Sequence, residues 1–149
     1  MTAGYSGTPL PKKLGIKPGL RAAAVNAPKQ YTKLLGPTPG VRIGSKLVAD
    51  LDFIHAFFRS VDDLAGAFPR LKKSLARDGA LWISWPKKGG AELKRLRSLN
   101  SARGRESRSD LDGNQVRKIG LENGLVDVKV CAVDEDWSGL KFVRRVVDR

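Results

Sequence analysis

The chain has 149 residues, of which 41% are hydrophobic, enough for a single domain with its own core. Its one cysteine, Cys131, excludes an internal disulfide and is expected to be a small buried hydrophobe, and no apolar run approaches the roughly 20 residues of a membrane span. We therefore expect one soluble, cytoplasmic domain over residues 1–149, whose net charge of +13 suits an anionic partner without identifying it.

The first quarter of the chain predicts a strand and a short helix behind an extended arm. Residues 1–19 are rich in Gly and Pro, which is typical of an extended N-terminal arm with one turn of helix at Leu10–Leu14. Residues 20–26 form a continuous apolar run, the pattern of a strand buried on both faces. The next segment has Pro28 at the start of a helix and Gly36 at its end, an arrangement that helices favour.

The middle of the chain predicts two further strands and a long helix. Residues 41–44 and 51–58 are the strand candidates. The helix is expected to begin after an N-cap at Ser60, to end at Gly79, and to be kinked or split at Pro69. Its apolar residues recur at intervals of three and four and so share one helix face: Val61, Leu64, Phe68, Leu71 and Leu75.

The last part of the chain predicts a strand, a helix and a hairpin. Residues 80–85, "ALWISW", have the composition of a buried strand. A basic segment, 87–109, separates this strand from a helix expected over Asp112–Gly124. Strands at 125–133 and 139–147, joined by the turn-rich "DEDWSG", predict an antiparallel hairpin.

The order of these elements predicts the fold class. Strands alternate with helices through most of the chain, which implies a mostly parallel sheet with helices on both faces. The C-terminal hairpin adds an antiparallel strand, as mixed α/β sheets commonly do. We therefore predict a three-layer, Rossmann-like α/β domain.

The basic segment 87–109 has two interpretations. It contains eight Lys or Arg and two acidic residues, a net charge of +6, and its composition is typical of a solvated, mobile loop. The alternative is weak, sequence-indifferent contact with nucleic acid or another polyanion, although no aromatic residue follows Trp85 in this stretch to stack on bases. The residues that would make this contact are Lys94, Arg95, Arg97, Arg103, Arg105 and Arg108.

Several short and uncommon sequence motifs, in the same order along the chain, resemble those of a known family. "GYSG", "KLGIKPG", "VNAP", "LDFI", "LWISWPKK", "GLVDVKVCAVD" and "WSGLKFV" are similar to a bacterial domain-of-unknown-function family, number 3052, over nearly the whole chain. The stretch from Gly89 to Asp110 departs from that pattern, being longer and more basic. The family implies no activity. The layout also resembles a pared-down class I methyltransferase, with "LGIKPGLRAAAV" similar to the lead-in and first strand.

One departure from the methyltransferase pattern bears on the cofactor. Those enzymes follow their first strand with a glycine-rich loop, whose lack of Cβ atoms lets the backbone approach the cofactor. Here "VNAPKQ" follows, and the next glycine is Gly36. No acidic residue ends the strand candidate 41–44 to hold a ribose. We therefore expect no S-adenosylmethionine, no NAD and, because the phosphate-loop motif is also missing, no bound nucleoside triphosphate as cofactor.

The carboxyl ends of the predicted parallel strands give a candidate binding site. Ligands of open α/β sheets bind at this edge. If the last strand inserts beside 80–85, as in methyltransferases, Trp137 approaches Trp85. Lysines are phosphate-binding point charges and indoles offer stacking faces. The candidate ligand-binding residues are Asn26, Pro28, Ser84, Trp85, Lys87, Lys88, Trp137 and Ser138.

The alternative interpretation of this edge is structural. The two tryptophans would then cover the end of the sheet that helices leave bare, and Pro86 would terminate a strand. The two lysines would pair with Asp134 and Glu135 in a solvated turn. Asn26 would only cap a turn. The one histidine, His55, lies within an apolar strand and is expected to be a satisfied buried residue rather than a catalyst.

These observations favour a methyltransferase-like module without the usual cofactor loop, non-catalytic, that binds an anionic ligand or a protein partner. The alternatives are weak nucleic-acid binding through 87–109 and an enzyme that acts on an unknown small anion. The sequence names no catalytic residue and no metal ligand, so it leaves enzymatic activity open.

Overall fold

The computed structural model describes residues 8–87 and 111–149, which form a sheet with helices on both faces. The strands are β1 (Ala22–Val25), β2 (Ile43–Gly44), β3 (Leu51–Phe57), β4 (Leu75–Pro86), β5 (Leu125–Ala132) and β6 (Trp137–Arg144). The helices are α1 (Leu10–Leu14), α2 (Tyr31–Leu35), α3 (Val61–Ser74) and α4 (Gly113–Glu122), followed by a 3-10 turn at Val146–Asp148.

The sheet has six strands within the described residues, in the order β2-β1-β3-β4-β6-β5. β1 pairs in parallel with β2 and β3, and β3 pairs in parallel with β4. β6 is inserted antiparallel between β4 and β5. The predicted fold class, a mostly parallel α/β sheet with a C-terminal antiparallel hairpin, is confirmed.

Helix α3 begins after its predicted N-cap, Ser60, and α4 begins next to Asp112, where the sequence predicts its start. The hydroxyl of Ser60 accepts a hydrogen bond of 3.0 Å from the backbone N–H of Asp63. At α4, Asp112 and Gln115 form a reciprocal capping box, with bonds of 2.9 and 3.1 Å. Such caps satisfy backbone donors that the first turn leaves open.

The boundary between α3 and β4 differs from the prediction, because the helix ends at Ser74 and not at Gly79. Leu75 continues the apolar face of the helix, but it pairs with Leu51 of β3 and begins a twelve-residue strand. A Cβ at Gly79 would lie 2.8 Å from the carbonyl oxygen of Leu51. This glycine therefore permits close strand packing and does not end a helix.

Helix α3 also runs without interruption through Pro69, so the prediction of a split there is wrong. Leu64, Phe68 and Leu71, on both sides of the proline, are buried in the same core. We attribute the continuity to this packing, which offsets the backbone hydrogen bond that proline removes.

The core has two halves, one on each face of the sheet. The α3–α4 layer, helices α3 and α4, buries Leu64 and Val116 against one face. The α1–α2 layer, residues 8–21 and 26–42, buries Leu14 and Tyr31 against the other. Successive side chains of β4 point to opposite faces of the sheet and so pack in both halves of the core. Leu81, Ile83 and Trp85 lie in the first half and Trp82 lies in the second. In the described parts of the chain, every helix is too short or too polar to cross a membrane.

Candidate functional site

The carboxyl ends of β1, β3 and β4 lie along one edge of the sheet, the carboxyl edge, because the three strands are parallel. β6 runs antiparallel to both β4 and β5, so the turn after β5 lies there too. The backbone N–H of Lys87 donates a 2.8 Å hydrogen bond to the carbonyl of Asp136 in that turn. The predicted meeting of the β4 exit with this turn is confirmed.

Asn26 follows β1 at this edge and ties two strand ends together. Its φ of 56° lies in the left-handed region, which Asn tolerates better than other residues with a side chain. Its side-chain amide donates a 3.2 Å hydrogen bond to the carbonyl of Phe57, the last residue of β3. Asn26 therefore turns the chain sharply out of the sheet.

Ser84 does not reach the edge, so the prediction that it is a ligand-binding residue at that edge is wrong. β4 continues to Pro86, paired with β6, and leaves Ser84 in mid-strand with no exposed surface. Its Oγ lies 2.8 Å from Nε2 of His55, whose Nδ1 lies 2.9 Å from the hydroxyl of Tyr31. Both nitrogens of the imidazole therefore have partners, as expected for a satisfied buried histidine.

Burial controls the protonation of this Tyr31–His55–Ser84 chain. Desolvation lowers the pKa of His55 to about 3, which keeps the imidazole neutral at neutral pH. Desolvation also raises the pKa of the Tyr31 hydroxyl well above its usual value. The arrangement of hydroxyl, imidazole and second hydroxyl resembles a nucleophile–base pair, but His55 and Ser84 are both fully buried.

The two tryptophans lie on opposite faces of the sheet, so the prediction that they approach each other around one site is wrong. Trp137 is paired with Pro86 in the antiparallel register, one residue beyond Trp85. Neighbouring strand positions point to opposite faces. Trp85 accordingly packs in the core under the α3–α4 layer and Trp137 in the core under the α1–α2 layer.

Both indoles are nearly closed off from solvent. Trp85 is 8% exposed, and a Cβ at Gly113 would lie 3.4 Å from its ring. Trp137 is 5% exposed and packs edge-on to Phe57, with ring centroids 5.0 Å apart. The guanidinium carbon of Arg59 lies 5.3 Å from the Trp137 ring centroid, a cation–π arrangement. The two side chains cover the sheet end rather than offering stacking faces.

The acidic turn after β5 is organised by Asp134. Its carboxylate oxygen Oδ1 accepts hydrogen bonds of 2.8 Å from the backbone N–H groups of Asp136 and Trp137. This is the local bonding by which aspartate shapes turns. Asp134 therefore has a structural role in this turn, and the predicted pairing of Asp134 and Glu135 with the two lysines stays a prediction.

A cleft of about 310 Å³ opens at the carboxyl ends of β1 and β2, against α2, and we call it the β1–β2 cleft. Apolar side chains form its floor, and a cation and hydroxyl groups stand at its rim. Pro28, which the sequence analysis placed at the site, lines it. Its other side-chain contributors include Tyr31, Leu35 and Ile43 on the apolar side and Lys29, Thr32, Thr38 and Ser45 on the polar side.

Four of the other predicted residues line two further clefts. Trp85, Lys87 and Ser138 line a shallow cleft of about 470 Å³ beside the start of α4. Asn26 lines a smaller one of about 250 Å³ that includes Arg70 of α3. The structure therefore brings some predicted residues together but does not assemble all of them into one site.

The polar rim of the β1–β2 cleft was missed by the sequence analysis, although a signal for it exists. The first 49 residues contain eight Lys or Arg and no Asp or Glu. Every residue lining the cleft comes from this acid-free stretch. A separate charge count for these 49 residues would have indicated the positive rim.

Some predicted residues lie outside the described ones, namely Lys88 and the six proposed nucleic-acid contacts Lys94, Arg95, Arg97, Arg103, Arg105 and Arg108. Cys131 is buried, and desolvation raises the pKa of its thiol, as suits a core hydrophobe. Residues 8–87 and 111–149 contain no group of three His, Cys, Asp or Glu side chains able to hold a metal ion.

Comparison of the sequence with protein-family models and with curated proteins gives no match. Comparison with solved structures gives many. Magnesium protoporphyrin IX methyltransferase (ChlM) from Synechocystis PCC 6803 with bound SAH is 13% identical, with a TM-score of 0.55 over 86% of this chain and 75% of that one. The pyocyanin biosynthetic protein PhzM is 12% identical, with a TM-score of 0.60 over 91% of this chain.

LepI in complex with SAM is 16% identical, with a TM-score of 0.52 over 91% of this chain. The chain spans 53% of the length of PhzM and 39% of the length of LepI. At these identities the shared feature is the arrangement of strands and helices. The chain has a mixed α/β fold similar to that of SAM-dependent methyltransferases.

Proposed function

We propose that the protein is a non-catalytic, methyltransferase-like module that binds a small anionic ligand in the β1–β2 cleft. The observation that carries the proposal is the chemistry of this cleft. Lys29, Thr32 and Ser45 supply a cation and two hydroxyls at its rim, and its lining includes no carboxylate. Its position agrees with the rule that open α/β sheets bind ligands at the carboxyl ends of strands.

The size and floor of the cleft support a ligand that also has an apolar or planar part. About 310 Å³ is at the lower end of the range for small-molecule sites. The floor is formed by buried Tyr31 and Leu35, each 6% exposed. A few polar groups above an apolar surface are the usual composition of such a site.

The exit of β1 supports a ligand other than SAM. The segment from Asn26 to Gln30 has a side chain or a proline ring at every position, whereas a glycine-rich loop has bare backbone. Asn26 is also held to Phe57 by its amide. The proposed membership in the domain-of-unknown-function family rests on the motifs quoted above and implies no cofactor either.

In residues 8–87 and 111–149, the burial of the hydroxyl–imidazole pair that resembles a nucleophile and base favours a binding role over the enzymatic alternative. The nucleophile–base geometry in the described residues, that of Ser84 and His55, is sealed in the core. A substrate would reach it only if Tyr31, which also lines the cleft, moved. An enzyme would need a reacting group in contact with its substrate, and neither residue offers one.

Calorimetric titration with AMP, inorganic phosphate, citrate and SAM tests this proposal. We expect saturable binding of at least one of the first three and none of SAM. Lys29→Ala should weaken binding roughly tenfold or more, because a hydrogen bond to a charged group contributes about 1.5–3 kcal/mol. Lys33→Ala is the matched control, because it removes the same charge. Lys33 is exposed on α2 and does not line the cleft.

Two results would overturn the proposal. If none of the three anions binds, or if Lys29→Ala and Lys33→Ala have equal effects, the cleft is not an anion site. If SAM binds and the purified protein transfers its methyl group to any acceptor, the module is catalytic.

A further inference from the structure

The charge of the two helical layers is strongly asymmetric. The α1–α2 layer has no acidic residue and contains seven Lys or Arg: Lys12, Lys13, Lys17, Arg21, Lys29, Lys33 and Arg42. The α3–α4 layer mixes signs, with Asp62, Asp63 and Glu122 among five Lys or Arg. Among the described residues, one helical layer therefore carries positive charges only, and the other carries both signs.

The cations of the α1–α2 layer face solvent together. Both α1 and α2 pack on the same face of the sheet, through Leu14 and Tyr31. Their apolar sides are used in this core, so the charged sides are left outward. Lys12, Lys17 and Lys33 are exposed. A surface of one sign attracts a polyanion and raises its rate of encounter.

The composition of this face distinguishes among polyanionic partners. Interfaces with proteins have an apolar core, and binding to a lipid surface needs buried apolar side chains in addition to charge. The exposed large hydrophobic residues in the described chain are Val48, Leu121, Val128, Val130, Val146 and Val147, and none belongs to the α1–α2 layer. Contacts to nucleic-acid phosphates require only cations, hydroxyls and backbone N–H groups.

We propose that the α1–α2 layer binds the phosphate backbone of double-stranded nucleic acid without sequence preference. This goes beyond the proposed binding of a small anion, because it uses the cations of the layer other than Lys29, which lines the β1–β2 cleft. The aromatic residue of the layer, Tyr31, is buried in the core and unavailable for stacking, so single strands have no advantage. The exposed hydroxyl of Thr32 adds a phosphate donor on the same side.

Salt dependence is the signature of this contact. Each phosphate neutralised on duplex DNA contributes about 0.9 to the slope of log affinity against log salt concentration. Engagement of four to six cations of the layer predicts a slope of roughly −4 to −5. Binding should be indifferent to the sequence of the duplex.

Fluorescence anisotropy with a labelled 20-base-pair duplex at two or more salt concentrations tests the proposal on the full chain. The test variant is Lys12→Gln/Lys17→Gln/Lys33→Gln. Its matched control is Arg70→Gln/Lys73→Gln/Lys118→Gln, which removes three exposed cations from the α3–α4 layer. Both lower the net charge from +13 to +10, that is 13 − 3. Because all six substitutions are at exposed positions, both variants should keep the fold, and circular dichroism checks this.

We expect the test variant to bind at least tenfold more weakly, with a salt slope reduced by about 2.7. The control should change affinity less than threefold and keep its slope. Binding of AMP should survive in the test variant, since Lys29 and Ser45 are unchanged, which separates this surface from the cleft. The proposal is overturned by equal effects of the two variants, by no duplex binding, or by loss of binding on deletion of 89–109 alone. Binding of anionic phosphatidylserine vesicles instead of the duplex also overturns it.

Discussion

The two helical layers differ in length, capping and charge. α3 and α4 have 14 and 10 residues, and each begins with a side-chain cap. α1 and α2 have five residues each and no side-chain cap hydrogen bond. The helices of the α3–α4 layer are stabilised by their caps and by a buried apolar core. The short helices of the α1–α2 layer depend on packing against the sheet.

The difference separates two roles. The α3–α4 layer carries charges of both signs, and its helices bury Leu64, Phe68 and Val116 completely. The acid-free α1–α2 layer includes the β1–β2 cleft at its edge and a buried polar chain below it. The cleft and the buried polar chain therefore lie on the face with the shorter, uncapped helices, and the longer, capped helices lie on the other face.

The largest expected effect on the free energy of unfolding is that of Gly120→Ala in α4. A Cβ at Gly120 would overlap the ring of Phe142, which is fully buried in β6. We expect a loss of about 2–3 kcal/mol in the free energy of unfolding, because overpacked cores are strained. Urea denaturation measures it.

Gly66→Ala in α3 is the control for that substitution. A Cβ at Gly66 meets no atom within 4 Å, so the change should stabilise the protein by about 0.5–1 kcal/mol through helix propensity. Equal destabilisation by both substitutions would show that helix backbone, and not the α4–β6 contact, limits stability.

The second prediction concerns pH and the other face of the sheet. The pKa of His55 is about 3 in the folded protein and about 6.5 in an unfolded chain. The unfolded state therefore binds the proton first, so stability is complete above pH 6.5 and is lost as pH falls from 6.5 toward 3. We expect a loss of about 1 kcal/mol between pH 7 and pH 5.5 from this group.

Urea denaturation at the two pH values measures this loss, and His55→Gln should abolish it. Only the pH dependence is compared, because the variant will also lower stability at pH 7. If wild type and variant change in parallel between pH 7 and pH 5.5, His55 does not control the effect.

The last prediction compares the helix caps of the two layers. Asp112→Ala removes the capping box of α4 and should cost about 1 kcal/mol. Gln30→Ala, at the N-cap of α2, removes no side-chain cap bond and should change stability by less than about 0.5 kcal/mol. Thermal unfolding of the two variants makes the comparison, and a larger loss at Gln30 would contradict it.

The sequence predicts best what depends on neighbouring residues. The Ser60 cap, the start of α4 near Asp112 and the helical turn at Leu10–Leu14 follow from local sequence, and each lies where it was expected. The alternation of elements was enough for the fold class. Local sequence gives the wrong prediction at Leu75. This residue fits the period of the helix, but it lies in β4 because it pairs with Leu51, 24 residues earlier in the chain.

The candidate site is less predictable because it depends on strand register. A difference of one residue in register decides whether Trp137 faces the same side as Trp85, and it places them on opposite faces. Pairing of β4 with β6 as far as Pro86 likewise buries Ser84 in mid-strand. The β1–β2 cleft has no motif at all, and its signal is only the lack of acidic residues before Asp50.

The most direct test of the division between the layers is amide chemical-shift mapping by ¹H–¹⁵N NMR during titration with AMP. The account predicts shifts concentrated at Lys29, Thr32 and Ser45 around the β1–β2 cleft, with α3 and α4 unchanged. Shifts concentrated in α3 and α4, or no shift at any residue at millimolar AMP, would contradict it.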